Sequence, residues 1–415
     1  MEAALPNIRQ TVDKIVQETA IVDMHTHLYP PSFGSILLWG IDELLTYHYI
    51  VAEVMRAAPI PYKTFWAMSK TEQADYIWKH MFLDRAPISE ACRGVITVIQ
   101  SLGFDPSERR LDVIRDFFRR QSVESYVETV FEKANVSYAV MTNDPFDAEE
   151  RPFWENGFQN HPRFQAALRM DPLLLNWDSA STHLREMGYK VGGAFNDSSI
   201  KHVRQFLEDW ADRMNPRYMA VSLPPSFVYP DDSIGTRIID RCILPFARER
   251  NLPFALMIGV KKLINPNLQL AGDSLGRANL ECLENLCLKN PDNRFLVTLL
   301  SRENQHELCV IARKFNNLLP FGCWWFMNNP SIIDEMTRER FELLGWSFIP
   351  QHSDARVLDQ LIYKWPHSRR LIANVLTDKY GDLLQAGWTV SEEEIRRDVK
   401  RLFQDNFEAF APGIS

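Results

Sequence analysis

Short runs of apolar, β-branched and aromatic residues recur along the chain. Longer stretches, with apolar residues every three or four positions, separate them. Eight of the short runs read as strands: Ala20–Met24, Val136–Met141, Phe164–Arg169, Tyr218–Ser222, Phe254–Ile258, Phe295–Leu299, Phe321–Trp325 and Ser347–Ile349. The stretches between them read mostly as helices. Ser391-Glu-Glu-Glu394 has the form of a capping box, and Ile395, Val399, Leu402, Phe403 and Phe407 follow on one helical face. Asp105-Pro-Ser-Glu108 opens a long charged helix running toward Glu132. Alternating strands and helices predict an α/β fold with a parallel sheet, and eight such units predict closure into a (β/α)8 TIM-type barrel. The reading is of one barrel domain over residues 1–415.

One interval departs from the rhythm. Residues 28–135 carry helical patterns, such as Asp42–Arg56 and Lys70–Phe82, and few strand signals. They predict a helical insertion after the first strand, packed over the barrel mouth. Loops that follow barrel strands carry function, so this segment is a candidate lid.

Composition narrows the function class. A chain of 415 residues allows two or three domains, or one barrel with large insertions. Its net charge of −8 is spread along the chain without a basic stripe, which argues against nucleic acid as a partner. No apolar run approaches the roughly 18 residues that cross a bilayer. The opening stretch MEAALPNIRQ lacks the layout of a signal peptide. A cytoplasmic protein without a membrane partner is expected. The six cysteines form no CxxC pair and several lie in apolar runs, so they read as reduced, buried thiols. No GxGxxG follows a strand and no GxxxxGK[ST] occurs, so no nucleotide cofactor is expected.

The strongest chemical signal is Val22-Asp23-Met24-His25-Thr26-His27. Alternate strand residues point the same way, so His25 and His27 can aim at one point above the barrel. Neutral imidazoles are good ligands for zinc, manganese, iron or nickel. The eighth run leads to Gln351-His-Ser-Asp354, and barrel closure makes it the neighbour of the first. Asp354 can then complete a metal set with His25 and His27, leaving positions open for substrate. His352 precedes Asp354 by two and shares its side if the strand extends that far. His80, His161, His183, His202, His306, His352 and His367 show no ligand spacing and read as surface or core residues, with that reservation for His352.

These features resemble the amidohydrolase superfamily, and several further stretches resemble its uronate isomerases. Asp42-Glu-Leu-Leu-Thr-Tyr-His48-Tyr49 is similar to their early helix with a His-Tyr pair. Thr142-Asn-Asp-Pro145 looks like their TDDP turn after the second strand. Leu168-Arg169-Met-Asp-Pro172 is similar to their arginine-bearing strand end, and Trp325 stands where they carry a tryptophan. Ser353-Asp354-Ala-Arg356 matches their Asp-x-Arg ending, and Tyr380-Gly-Asp-Leu383 with the closing helix follows their pattern. The likeness runs through nearly the whole chain in the same order. It implies an aldose–ketose isomerase acting on a sugar acid, either D-glucuronate to D-fructuronate or D-galacturonate to D-tagaturonate. One divalent metal would serve, zinc first, with manganese, iron or nickel as alternatives. The implied catalytic residues are His48, Tyr49, Asp354 and Arg356. Arg169, Trp325, His48, Tyr49 and Arg356 would bind substrate, and Arg169 could instead form an ion pair with Asp171. Self-association into a homo-oligomer stays open, because no interface signal is visible.

The chain departs from the pattern on the fifth strand. Leu256-Met257-Ile258-Gly259 stands where relatives carry a ligand histidine, and Met257 is a poor ligand for a hard or borderline ion. The fourth run, Val221-Ser-Leu-Pro-Pro225, lacks the Asp-His-Gly of many relatives. Two other readings therefore remain. One is a metal-dependent hydrolase or decarboxylase on the same barrel, and the other is a sugar-acid-binding barrel without catalysis.

Overall fold

The computed structural model describes residues 4–158 and 161–414. Met1–Ala3, part of the stretch read above for a leader, lie outside them. Nine strands occur among the described residues, in chain order: β1 Ile21–Thr26, β2 Val136–Asn143, β3 Phe164–Arg169, β4 Met219–Leu223, β5 Phe254–Ile258, β6 Val260–Lys261, β7 Ser274–Leu275, β8 Phe295–Leu299 and β9 Leu318–Pro320. Seven form one parallel sheet in the order β1-β2-β3-β4-β5-β8-β9, and β6 and β7 form a small antiparallel hairpin. Every residue of β1, β5 and β8 is buried. Such continuously buried strands belong to a parallel sheet covered on both faces, because the crossover helices shield the outer one.

The segment Trp346–Asp354 lies between the two outer strands of this sheet. Ile349 pairs in parallel with Phe321, and its N–H donates to the Pro320 carbonyl at 3.0 Å. Further on, the Asp354 N–H donates to the His25 carbonyl at 3.1 Å, and the His27 N–H donates to the Ala355 carbonyl at 2.7 Å. The predicted strand at Ser347–Ile349 is therefore a single bridge at Ile349.

The predicted strand at Phe321–Trp325 needs correcting. The seventh strand lies three residues earlier, at Leu318–Pro320; Phe321 extends it by its bridge to Ile349, and the chain then leaves the sheet. Gly322 (φ +61°) and Trp325 (φ +48°) both adopt left-handed backbone, which no strand tolerates. The aromatic run is buried because it packs beside a cavity, and periodicity alone cannot separate that from a strand.

Residues 31–134 hold helices, as the pattern suggested, but broken into pieces. The predicted helix from Asp105 toward Glu132 is three segments: a single 3₁₀ turn at Pro106–Glu108, then Leu111–Arg119 and Val123–Ala134. Arg109 takes a left-handed conformation (φ +53°), and Ser122 caps the last helix afresh through Ser125 N–H. Asp42–Arg56 likewise splits into Ile41–Leu45 and His48–Ala57. Tyr47 is extended (ψ 140°), and this places His48 at the start of a helix. Lys70–Phe82 is helical throughout, with a wider final turn.

The capping box at Ser391 and Glu394 forms as predicted, and Ile395, Val399, Leu402, Phe403 and Phe407 are all buried. The helix Gln360–Gln385 packs against Ala4–Glu18, Pro330–Leu344, Glu90–Ser101 and Val123–Ala134, tying the chain's two ends to its middle. No described helix is long and apolar enough to cross a membrane.

Candidate metal centre and substrate cavity

The C-terminal ends of the parallel strands converge on a narrow cavity. β1 delivers His25, with His27 just beyond its end. β2 contributes Thr142, β3 Arg169, β4 Ser222 and β5 Met257. His48, Lys262, Trp324, Trp325, Asp354 and Arg356 complete the wall. Of the predicted site residues, only Tyr49 does not border this space. It packs behind His48, ring to ring at 4.6 Å.

Asp23 anchors the arrangement from below. It is fully buried and accepts hydrogen bonds from the Ser353 N–H (3.0 Å) and the Trp365 indole (2.8 Å). Burial pushes its carboxyl up to about 6. Lys364 reaches the Ser353 carbonyl at 2.6 Å from the other side. The turn clamped between them holds Asp354 in left-handed backbone at φ +50°. Such a conformation is costly for a residue with a side chain and marks a position the surroundings enforce.

The hydrogen bonds around the two strand-end histidines fix their tautomers. Tyr218 donates its hydroxyl hydrogen to the Met24 carbonyl at 2.8 Å, so its oxygen must accept from His25 Nδ1–H at 3.2 Å. Thr142 donates to the Thr26 carbonyl at 2.8 Å, so its oxygen accepts from His27 Nδ1–H at 2.9 Å. Both Nε2 atoms are left as lone pairs, and both face Asp354. His27 Nε2 is 3.3 Å and His25 Nε2 is 3.6 Å from Asp354 Oδ1. No hydrogen lies between them unless an imidazole is protonated. Burial opposes that, holding His25 down to about 3 and His27 well below its ordinary value. His25 Nε2 and Asp354 Oδ1 have no hydrogen-bond partner among the described residues. Acceptors converging without a donor are unfavourable, and a cation removes the conflict. This donor set fits a divalent metal.

The tightest group differs in one member from the predicted set. His25, His352 and Asp354 each offer a ligand atom within 4.8 Å of the others. His27 is not in that group and joins it through Asp354. His352 is fully buried, and neither of its ring nitrogens has a partner among the described residues.

Positive charge lines the rest of the cavity unequally. Arg169 makes a bidentate pair with Asp171 (2.7 and 2.9 Å), so the structural ion pair weighed above exists. It also touches the Ser222 hydroxyl at 3.3 Å, while its Nη1 has no partner among the described residues. The Arg356 guanidinium has neither an ion pair nor a hydrogen bond among the described residues. Its backbone N–H is held by Gln360 at 2.8 Å. Lys262, from the hairpin, pairs with Asp273 at 2.7 Å and lies 5.8 Å above the Trp325 ring. Trp325 stacks on Phe326 at 4.8 Å and meets His48 edge-on at 5.8 Å. Both ring nitrogens of His48 and the Tyr49 hydroxyl are buried without partners among the described residues. Burial holds His48 neutral and lifts the Tyr49 phenol well above its ordinary range, so Tyr49 gains no basicity from the protein alone.

Sequence reasoning missed the two hydroxyls that set the tautomers. Thr142 was visible in the Thr-Asn-Asp-Pro motif, but nothing in the chain tied it to His27. Tyr218 sits among strand residues with no signal of its own.

No protein-family model and no curated protein matches the chain. Among solved structures, a uronate isomerase from Bacillus halodurans is 58% identical. The match covers 98% of this chain and 97% of that one, with a TM-score of 0.97. The chain belongs to the uronate isomerase family. Two more distant structures share its fold. A uronate isomerase from Thermotoga maritima is 16% identical over 98% of this chain and 97% of that one. A glucuronate isomerase from Caulobacter crescentus is 14% identical over 99% and 94%. Both have a TM-score of 0.78. Met257, on β5, lines the cavity and offers it no nitrogen or oxygen donor.

Proposed function

We propose that this chain is a uronate isomerase, interconverting D-glucuronate and D-fructuronate or D-galacturonate and D-tagaturonate. The observation that carries the reading is one cavity that joins an acceptor-only cluster to a guanidinium without a partner. The cluster calls for a cation, and the guanidinium calls for an anion. A sugar acid satisfies the second while presenting hydroxyls to the first. Family membership supports the same conclusion.

The reaction is internally balanced. The proton on the hydroxyl-bearing carbon next to the aldehyde leaves, and negative charge develops on the aldehyde oxygen. The proton then returns to the former aldehyde carbon while the hydroxyl proton moves to the neighbouring oxygen. A divalent metal held by His25, His27 and Asp354, zinc or another first-row ion, would supply Lewis-acid stabilisation for substrate oxygens. Arg356 supplies fixed positive charge for the carboxylate or the developing enediolate oxygen, which is electrostatic stabilisation in a water-poor site. Arg169 does so more weakly, because Asp171 already neutralises it. His48 lines the cavity in neutral form with both nitrogens available, which suits it to take and return the proton. Tyr49, behind it, is a neutral donor to the same pair. Trp325 walls the sugar and keeps water out.

The architecture that serves this chemistry is a closed (β/α)8 barrel in a single domain. Its eighth strand is Ser347–Ile349, with Asp354 beyond the strand's end, and residues 28–135 are the helical insertion over its mouth. The bridge at Ile349 and the bond from Asp354 to His25 favour closure. Six free, buried thiols favour the reducing cytoplasm. The test is ketouronate formation from each uronate, followed by NMR before and after chelation. If a folded, metal-loaded protein converts neither sugar, the isomerase reading fails, and hydrolysis or decarboxylation on the same centre is the next assay.

A further inference from the structure

We infer that His352 is a fourth protein donor to the active-site metal, supplying the ligand that Met257 on β5 cannot. The inference rests on the metal-dependent reading proposed above. His25, His352 and Asp354 are all buried, and each offers an atom within 4.8 Å of the others. Neither ring nitrogen of His352 meets a donor or acceptor among the described residues. A side chain that served only to fill this space would be apolar, since burying an unsatisfied imidazole is costly.

The ring's place is enforced from three directions. A Cβ at Gly322 would fall 1.7 Å from His352 Nδ1, so only glycine leaves room for the imidazole there. Phe321 packs against the ring at 5.3 Å, and His25 meets it edge-on at 5.1 Å. Gln351 holds the backbone: its Oε1 accepts from both the His352 N–H (2.9 Å) and the Cys323 N–H (2.8 Å). His352 and Asp354 come from one segment, as His25 and His27 do, but a left-handed turn at Asp354 (φ +50°) rather than strand alternation accompanies their approach to His25. Two adjacent segments thus supply all the donors, and β5 supplies none.

The test counts imidazoles. X-ray absorption at the zinc edge is recorded on the full-length protein loaded with one equivalent of zinc, as wild type and as His352→Gln. Three imidazole ligands in the wild type and two in the variant are expected. Zinc affinity of the variant, measured by competition with a chromophoric chelator, should fall by about 10- to 100-fold or more, a loss at least as large as outer-shell changes cause. The wild-type count stands even if the variant fails to fold. Two imidazoles in the wild type would overturn the role of His352 and leave the isomerase reading intact. A folded wild type that binds no zinc, manganese or iron would overturn both.

Discussion

Two carboxylates near the ends of β1 and β2 are buried to the same depth and are treated in opposite ways. Glu150 is saturated. One oxygen accepts from Asn143 Nδ2 (2.7 Å) and the Trp154 indole (2.8 Å), and the other from the Tyr29 hydroxyl and the Asp144 N–H (3.1 Å each). Asp354 Oδ1 accepts nothing and faces the lone pairs of two imidazoles instead. The first arrangement is what a fold does with a buried carboxyl group it must keep. The second is what remains when a charge is reserved for something that arrives from outside. The contrast teaches that unmet polar atoms are informative where the fold has elsewhere shown it can meet them. It also separates stability from function, because the two carboxylates should respond differently to the same kind of change.

The largest expected effect is on Asp354. Asp354→Asn should lower turnover by about 10³- to 10⁴-fold, in the range of a lost proton-transfer group that is also a metal donor. Stability should hold or rise by up to about 1 kcal/mol, because the new amide can donate to His25 or His27 Nε2. NMR turnover and denaturant titration check both halves. A large loss of stability would mean that Asp354 is held like Glu150 and would break the comparison.

The arginines come next. Arg356→Met should cost about 10²- to 10³-fold in kcat/KM, as removal of one electrostatic donor does, with little change in stability. Arg169→Met should cost less in rate and more in stability, since it leaves Asp171 beside Ser222 without its cation. Steady-state kinetics and thermal melts on both variants check the ordering, and equal effects on rate would erase the distinction drawn between them.

Glu150→Ala should cost about 3 kcal/mol of unfolding free energy, because several buried donors lose their acceptor together. The folded fraction should keep its turnover within about threefold. A variant that folds normally but is inactive would move Glu150 into the catalytic apparatus.

The smallest effect is on the pH profile of the metal-free protein. Burial lowers His25 from 6.5 to about 3 and holds His27, His48 and His352 in the same direction. The unfolded chain therefore binds these protons first, and this contribution is lost as pH falls below about 6.5. Glu150, raised to about 7, and Asp23 and Asp144, raised to about 6, act oppositely. The folded chain holds their protons longer, so their contribution is lost as pH rises from about 4 toward 7. The two slopes offset one another between about pH 4.5 and 6.5, and below about 4 only the histidine slope remains. Glu150→Gln should tilt the plateau so that stability rises with pH across it. An unchanged plateau in denaturant titrations would show that Glu150 does not carry the opposing slope.

Much of the site was legible because it lies on extended segments. His25 and His27 need only the two-residue repeat of a strand to point together, and that repeat is written in the chain; His352 and Asp354 meet instead across a left-handed turn at Asp354. Arg169 and Arg356 were found by family resemblance, but their inequality was not, because it depends on Asp171 turning back to take one and nothing reaching the other. His48 was legible as a residue. Its position depends on the break at Tyr47, which an unbroken apolar pattern from Asp42 to Arg56 conceals.

The sequence by itself determined the alternation of strands and helices, the parallel sheet it requires and the histidine pair at the end of β1, because local periodicity and connection length dictate these. It also showed that β5 offers Met257 where a donor would be expected. Only the tertiary structure decided which lone pairs face one another. The tautomers of His25 and His27 depend on Tyr218 and Thr142, which lie 193 and 115 residues away along the chain. The approach of His352 to His25 depends on Gly322 making room. Hydrogen bonds and close contacts of this kind act over about 3 to 5 Å in space, and no pattern along the chain records that distance.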